Sequence, residues 1–101
     1  MKNLRGAVFA RAKGFCECGC ARPLGESSHL DHFYGRAKAP ESIETCWALR
    51  LDCDERKTRN QPSGIHWCRR FYAHARKHGY REQMERVETK GRVLIAKGFA
   101  A

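Results

Sequence analysis

Asp31, His32 and Asp54 are the residues of this chain that could do chemistry together. Asp31 and His32 lie near the end of an alternating apolar and polar stretch. Asp54 lies in the run Asp52-Cys53-Asp54-Glu55-Arg56-Lys57, which reads as the start of a helix. Carboxylates are hard oxygen ligands suited to Mg²⁺ or Mn²⁺. A neutral imidazole beside them can take a proton from water. Carried on a strand, loop, strand, helix unit, the set has what metal-assisted hydrolysis of a phosphodiester requires. The acidic cluster at 52 to 55 also has a plainer account, since Asp52 followed by Glu55 makes an acidic capping box.

The elements that must position these groups follow from local signals. Asn3 is suited to cap a first helix with Leu4, Ala7, Val8 and Ala12 on one face, Gly14 as its left-handed stop and Phe15 folding back onto it. Residues 16 to 27 form a Cys- and Gly-rich turn region. Ser28 to Phe33 alternates as a short strand, Gly35 to Ser42 is a loop, and Thr45 to Leu51 is a second strand. With a helix beginning at Asp52, Asp54 falls in its first turn and faces back toward the hairpin. A further helix spans about Ser63 to His78, buries Ile65, Trp67, Phe71 and Ala75, and ends at Gly79. Arg81 to Lys90 is a charged helix anchored by Met84 and Val87, and Val93 to Ile95 either adds a short strand or packs on the core.

Other aromatic and imidazole groups have structural readings first. His29, at an alternate position from His32, flanks the site or faces solvent. His74 and His78, four residues apart near a helix end, could chelate a metal but fit favourable contact with the helix dipole. The periodic spacing of Trp67, Phe71 and Tyr72 argues for core before base stacking.

With 101 residues and a net charge of +9, the chain reads as one domain with a modest core, for which a metal staple would be useful. The charge points to an anionic partner, and because it flanks the candidate site, nucleic acid is favoured over a merely solvated surface. Arg36, Lys38, Arg56 and Lys57 are candidates for phosphate contacts that orient the backbone without reading sequence. No stretch reaches the apolar length of a membrane span, and the first residues lack the apolar core of a signal peptide, which predicts a cytoplasmic protein. In that reducing compartment the six cysteines read as thiols or metal ligands, and Cys16, Cys18 and Cys20 stand too close to bridge one another comfortably.

The segments LDHFYGR, TCWAL, the Lys-Thr pair after Arg56 and RNQPSGIHWC, with CECGC before them, resemble the HNH endonucleases, in the style of a small phage-type subgroup. The resemblance covers roughly residues 14 to 80. It implies an α+β fold: a ββα-metal (His-Me finger) core, with an N-terminal helix and a helical C-terminal cover. It also implies a metal-dependent DNA endonuclease of low sequence specificity, yielding a 5′ phosphate and a 3′ hydroxyl. Laid onto this chain, Asp31 and Asp54 become the ligands of a Mg²⁺ or Mn²⁺ ion. His32 is the general base, with its other nitrogen held by a backbone carbonyl, and Thr45 stands where the family has an Asn that steadies the His-bearing loop. Two positions depart from the family: Thr45 lacks the two-ended amide of Asn, and Asp54 replaces a His or Asn. The second departure leaves a lapsed, nucleic-acid-binding relative as the alternative; an RNA-binding zinc ribbon is a third reading. A phage context beside packaging proteins, in the host cytoplasm, comes from the resemblance alone. Relatives of this type often carry a zinc knuckle. Cys16, Cys18, Cys20 and Cys53 are its candidates here, but Arg50 stands where a second rear Cys is usual. Cys46 or Cys68 could complete such a set, and packing as small buried hydrophobes accounts for both equally well.

Overall fold

The computed structural model describes residues 3–59 and 64–98. It is a small α+β arrangement of four helices and one two-stranded antiparallel sheet, in the order α1 (Leu4–Ala12), β1 (Ser28–His32), β2 (Cys46–Arg50), α2 (Leu51–Arg59), α3 (Ile65–His78) and α4 (Arg81–Ala96). The chain divides into two compact units, Met1–Asp54 and Glu55–Ala101, with the boundary inside α2.

In the first unit, the Asn3 side chain accepts from the Gly6 N–H and starts α1 as expected. The left-handed stop comes one residue earlier than the glycine, at Lys13 (φ 53°). Leu4, Val8 and Ala12 form the buried face, and α1 packs on β2. β2 is the centre of this core: Cys46, Trp47, Ala48 and Leu49 are all fully buried, and large side chains of that kind contribute about 1.5–3 kcal/mol each. One side of β2 pairs with β1 in the register Ser28↔Arg50, Leu30↔Ala48 and His32↔Cys46. Its other side is covered by the cysteine-rich segment. There Glu17 N donates to Ala48 O at 2.8 Å, and Ala48 N donates to a Glu17 carboxylate oxygen at 2.9 Å. An edge that would otherwise offer free backbone groups is thereby closed.

Two local expectations are corrected in this unit. Phe15 does not fold back on α1 but is 54% exposed. Its backbone bridges to Pro23, and the neighbouring Cys16 takes the inward position. The capping box at Asp52 does not form, because β2 runs directly into α2 at Leu51. Asp52 already lies within the first turn, and its carboxylate accepts from Cys53 N at 2.9 Å and from the Arg50 and Arg22 guanidiniums at 3.0 Å each. Those contacts, Arg50 first, hold the Asp52 carboxyl below the usual carboxylate range.

The second unit contains α3 and α4, which pack on one another. Ile65, Trp67, Cys68, Phe71 and Ala75 are buried at helical spacing, and Gly79 (φ 73°) ends α3. Ser63, the expected start, lies outside the described residues; within them α3 opens at Ile65 after Gly64. α4 continues through Val93, Leu94 and Ile95 to Ala96, so no third strand forms; Leu94 is buried, and Val93 and Ile95 point outward. No helix among the described residues is long and apolar enough to cross a membrane.

Candidate functional site

Four sulfurs converge at the junction of the cysteine-rich segment and the start of α2. Cys16 Sγ is 3.4 Å from Cys18 Sγ, which is 3.7 Å from Cys53 Sγ, which in turn is 4.0 Å from Cys20 Sγ. Four thiolates around a tetrahedral ion with Zn–S near 2.3 Å would be separated by about 3.8 Å, so the cluster is compatible with Zn²⁺. The missing rear Cys is explained by this geometry. Cys20 supplies the fourth sulfur, while Arg50, at the usual rear position, gives its backbone N–H to Cys16 Sγ at 3.3 Å. Arg22 adds a guanidinium N–H to Cys53 Sγ at 3.3 Å, which offsets thiolate charge. Cys46 and Cys68 lie outside the cluster as buried thiols, each pushed up by burial.

The close approach of the sulfurs favours one thiolate among them. The Cys16 thiol is pulled down to about 5, chiefly by the hydrogen bond from Cys18, with the Arg50 N–H adding to it against burial. Cys18, giving that hydrogen bond and buried, is pushed well up. Burial, followed by the charge on Cys16, pushes Cys53 up to about 11.

His32, at the end of β1, has a side chain only 11% exposed. Its Nε2 lies 2.5 Å from a Glu41 carboxylate oxygen. The expected backbone carbonyl is replaced here by a side chain from the loop between the strands. Gly35, with φ 90° and its N–H on His32 O at 2.9 Å, turns the chain out of β1 through a conformation that favours glycine. Thr45, buried just before β2, donates its hydroxyl to Pro40 O at 2.9 Å and accepts from Ser42 N at 3.1 Å. Thr45 thus holds both residues flanking Glu41, steadying the loop beside His32 although it lacks an amide.

Asp31 lies opposite Trp47 in the register, and the Trp47 indole N–H donates to Asp31 Oδ2 at 2.8 Å. Asp54, in the first turn of α2, faces the hairpin as expected, and its Oδ2 is 3.3 Å from Nδ1 of His29. His29 is thus not a bystander. It shares a strand face with Asp31, two residues on, and meets the second carboxylate. Neither Asp31 nor Asp54 belongs to a group of three ligand atoms gathered as closely as the sulfurs, among the described residues.

An open cleft of about 400 Å³ is lined by Arg5, Ser28, His29, Leu30, His32 and Arg36. His32 thus shares this cleft with two arginines, one of them from α1. Arg36, Lys38 and Arg56 are exposed, as phosphate contacts require, but Lys57 is not: it is 4% exposed and in this structure is not available to a phosphate. Sequence reasoning missed Glu41 and Arg5; of its two readings for His29, flanking the site or facing solvent, the contact with Asp54 fits the first. The period-2 relation of His29 to Asp31 was a readable signal; nothing local pointed to Glu41 or Arg5, whose contacts depend on distant segments. Comparisons with protein families, curated proteins and solved structures give no match to this chain.

Proposed function

We propose that this chain is a metal-dependent endonuclease of the HNH type, with β1, β2 and α2 as a ββα-metal core, hydrolysing phosphodiester bonds in DNA with low sequence preference. The observation that carries this reading is the setting of His32. The side chain is nearly enclosed, has one ring nitrogen engaged by Glu41, follows Asp31 directly, and lines a cleft between Arg5 and Arg36. A histidine with that combination of burial, partner and access is suited to general-base work.

Arg5 and Arg36 hold the phosphate, and the unengaged nitrogen of His32 takes a proton from the attacking water. The water oxygen bonds to phosphorus as the bond to the 3′ oxygen breaks, leaving a 5′ phosphate and a 3′ hydroxyl. Asp31 and Asp54 would hold Mg²⁺ or Mn²⁺, and their hard oxygen donors fit such an ion. When bound, the ion supplies positive charge for the phosphate and the departing oxygen. The four-cysteine cluster would hold Zn²⁺ as a structural staple that ties the cysteine-rich segment to the start of α2.

One observation favours the second reading, a DNA-binding relative that has lost turnover: both carboxylates already have protein partners, Trp47 for Asp31 and His29 for Asp54. Plasmid cleavage in Mg²⁺ and Mn²⁺ separates the two. On the nuclease reading, His32→Ala loses about 10² to 10⁴ in rate with DNA affinity near the parent's. A parent that binds DNA and cuts with neither ion establishes the second reading.

A further inference from the structure

The geometry points to Glu41 as the positioning residue for His32, setting which ring nitrogen carries the proton. The inference rests on the nuclease reading for its catalytic consequence, but its physical content is local. The carboxylate lies 2.5 Å from Nε2 of a side chain that is only 11% exposed. A carboxylate accepts and cannot donate, so Nε2 must carry a hydrogen and Nδ1 becomes the ring's bare nitrogen in the neutral imidazole. Proton transfer to His32 is then directed to Nδ1: the water proton goes there, the water oxygen bonds to phosphorus, and the phosphorus bond to the 3′ oxygen breaks. The 3′ oxygen then takes its proton from solvent.

The loop is built to hold Glu41 there. Residues 40 and 42, on either side of it, both bond to the Thr45 hydroxyl, and Ser42 Oγ accepts from Glu44 N at 3.2 Å and Thr45 N at 3.3 Å. The hydrogen bond from His32 is the main cause that favours the carboxylate form of Glu41, and the Arg36 charge adds to it. A carboxylate that orients an imidazole in this way also fixes the plane of the ring, and loss of such a partner typically costs about 10 to 100-fold in activity.

Nitrogen-15 NMR of the histidine rings in the full chain tests this directly, with His32 assigned by comparison with His32→Gln. In neutral imidazole, the parent should show the tautomer with hydrogen on Nε2. Glu41→Ala should shift His32 to a mixture of tautomers, and Glu41→Gln, whose amide oxygen still accepts, should restore the parent pattern. In plasmid cleavage Glu41→Ala should lower kcat by about 10 to 100-fold with little change in KM, and Glu41→Gln should recover part of that loss. An unchanged His32 spectrum in Glu41→Ala overturns the inference, and so does a variant that cleaves as fast as the parent or faster, which would make Glu41 an obstruction. A parent that cuts nothing, yet shows the spectral change on Glu41→Ala, leaves the tautomer assignment standing and condemns the nuclease reading.

Discussion

Arg11 and Glu17 meet side by side: Nε and Nη2 of Arg11 each donate to a carboxylate oxygen of Glu17 at 2.8 Å. The side chains are 10% and 5% exposed. The pair ties three parts of the first unit together. Arg11 comes from α1 and also donates to Ile43 O at 2.6 Å and Cys46 O at 2.9 Å, while Glu17 sits between two of the clustered cysteines and accepts from Ala48 N. Forming such a pair costs desolvation, and the added hydrogen bonds offset it; breaking it leaves one charge buried alone. Arg11→Met should therefore destabilise the protein by about 3 kcal/mol or more, a fall of roughly 12 °C or more in Tm. A thermal melt within a few degrees of the parent's would show that the pair contributes little.

The sulfur cluster predicts about one equivalent of tightly held zinc, lost in Cys20→Ser and Cys53→Ser but retained in Cys46→Ala and Cys68→Ala. The pH dependence follows from the shifted thiols. Cys18 and Cys53 are pushed above the ordinary thiol value, so both are protonated near neutrality and must lose those protons to bind the ion. Zinc affinity should rise with pH by about tenfold per unit for each proton that the ion displaces from the cluster, these two among them, and weaken as pH falls. Competition with a chromophoric chelator between pH 6 and 8 measures the slope. A flat profile, or zinc retained in Cys20→Ser, rules out this ligand set.

Asp54 should determine which ion supports cleavage. With carboxylates as ligands, Mg²⁺ and Mn²⁺ should be productive, and Asp54→His should extend activity toward Ni²⁺ or Co²⁺, because imidazole suits later transition metals. Asp54→Ala should lose most activity while melting near the parent temperature. The fold should persist because the bonds from Arg22, Arg50 and Cys53 go to Asp52 instead. A metal screen on the three proteins decides this, and equal Mg²⁺ activity in parent and Asp54→Ala removes Asp54 from the ligand set.

Arg5 and Lys57 should behave in opposite ways. Arg5 and Arg36 line the cleft, so replacing each by Ala should weaken DNA binding and reduce the slope of log K against log salt by about 1. Lys57 is buried. Lys57→Ala should leave that slope unchanged and lower the melting temperature instead. Binding titrations at several salt concentrations, with a melt of each variant, would reverse the assignment if Lys57→Ala changed the slope and Arg5→Ala did not.

Much was legible from local pattern because the deciding forces were local. Alternation marks Ser28 to Phe33 and a dense apolar run marks Thr45 to Leu51, each one residue or so longer than the strand that forms, Asn3 announces the first helix, and Gly79 ends the third. The capping-box signal at Asp52 puts Asp54 in the first turn of α2, facing the hairpin, and that placement holds although the helix starts at Leu51 and the box does not form. Tertiary structure decided which groups meet across long stretches of chain. Three cysteines within five residues could be recognised as a ligand supply, but only the folding of that segment along β2 brings Cys20 to Cys53 and gives Arg50 N–H to Cys16. Periodicity cannot tell a strand that yields directly to a helix from one that pauses at a cap, so Asp52 carries a cap signal although two guanidiniums claim it. Nor can it foresee that a loop carboxylate will reach an imidazole nine residues away, because a loop has no period and its path is set by the Thr45 hydroxyl and the packing beneath it.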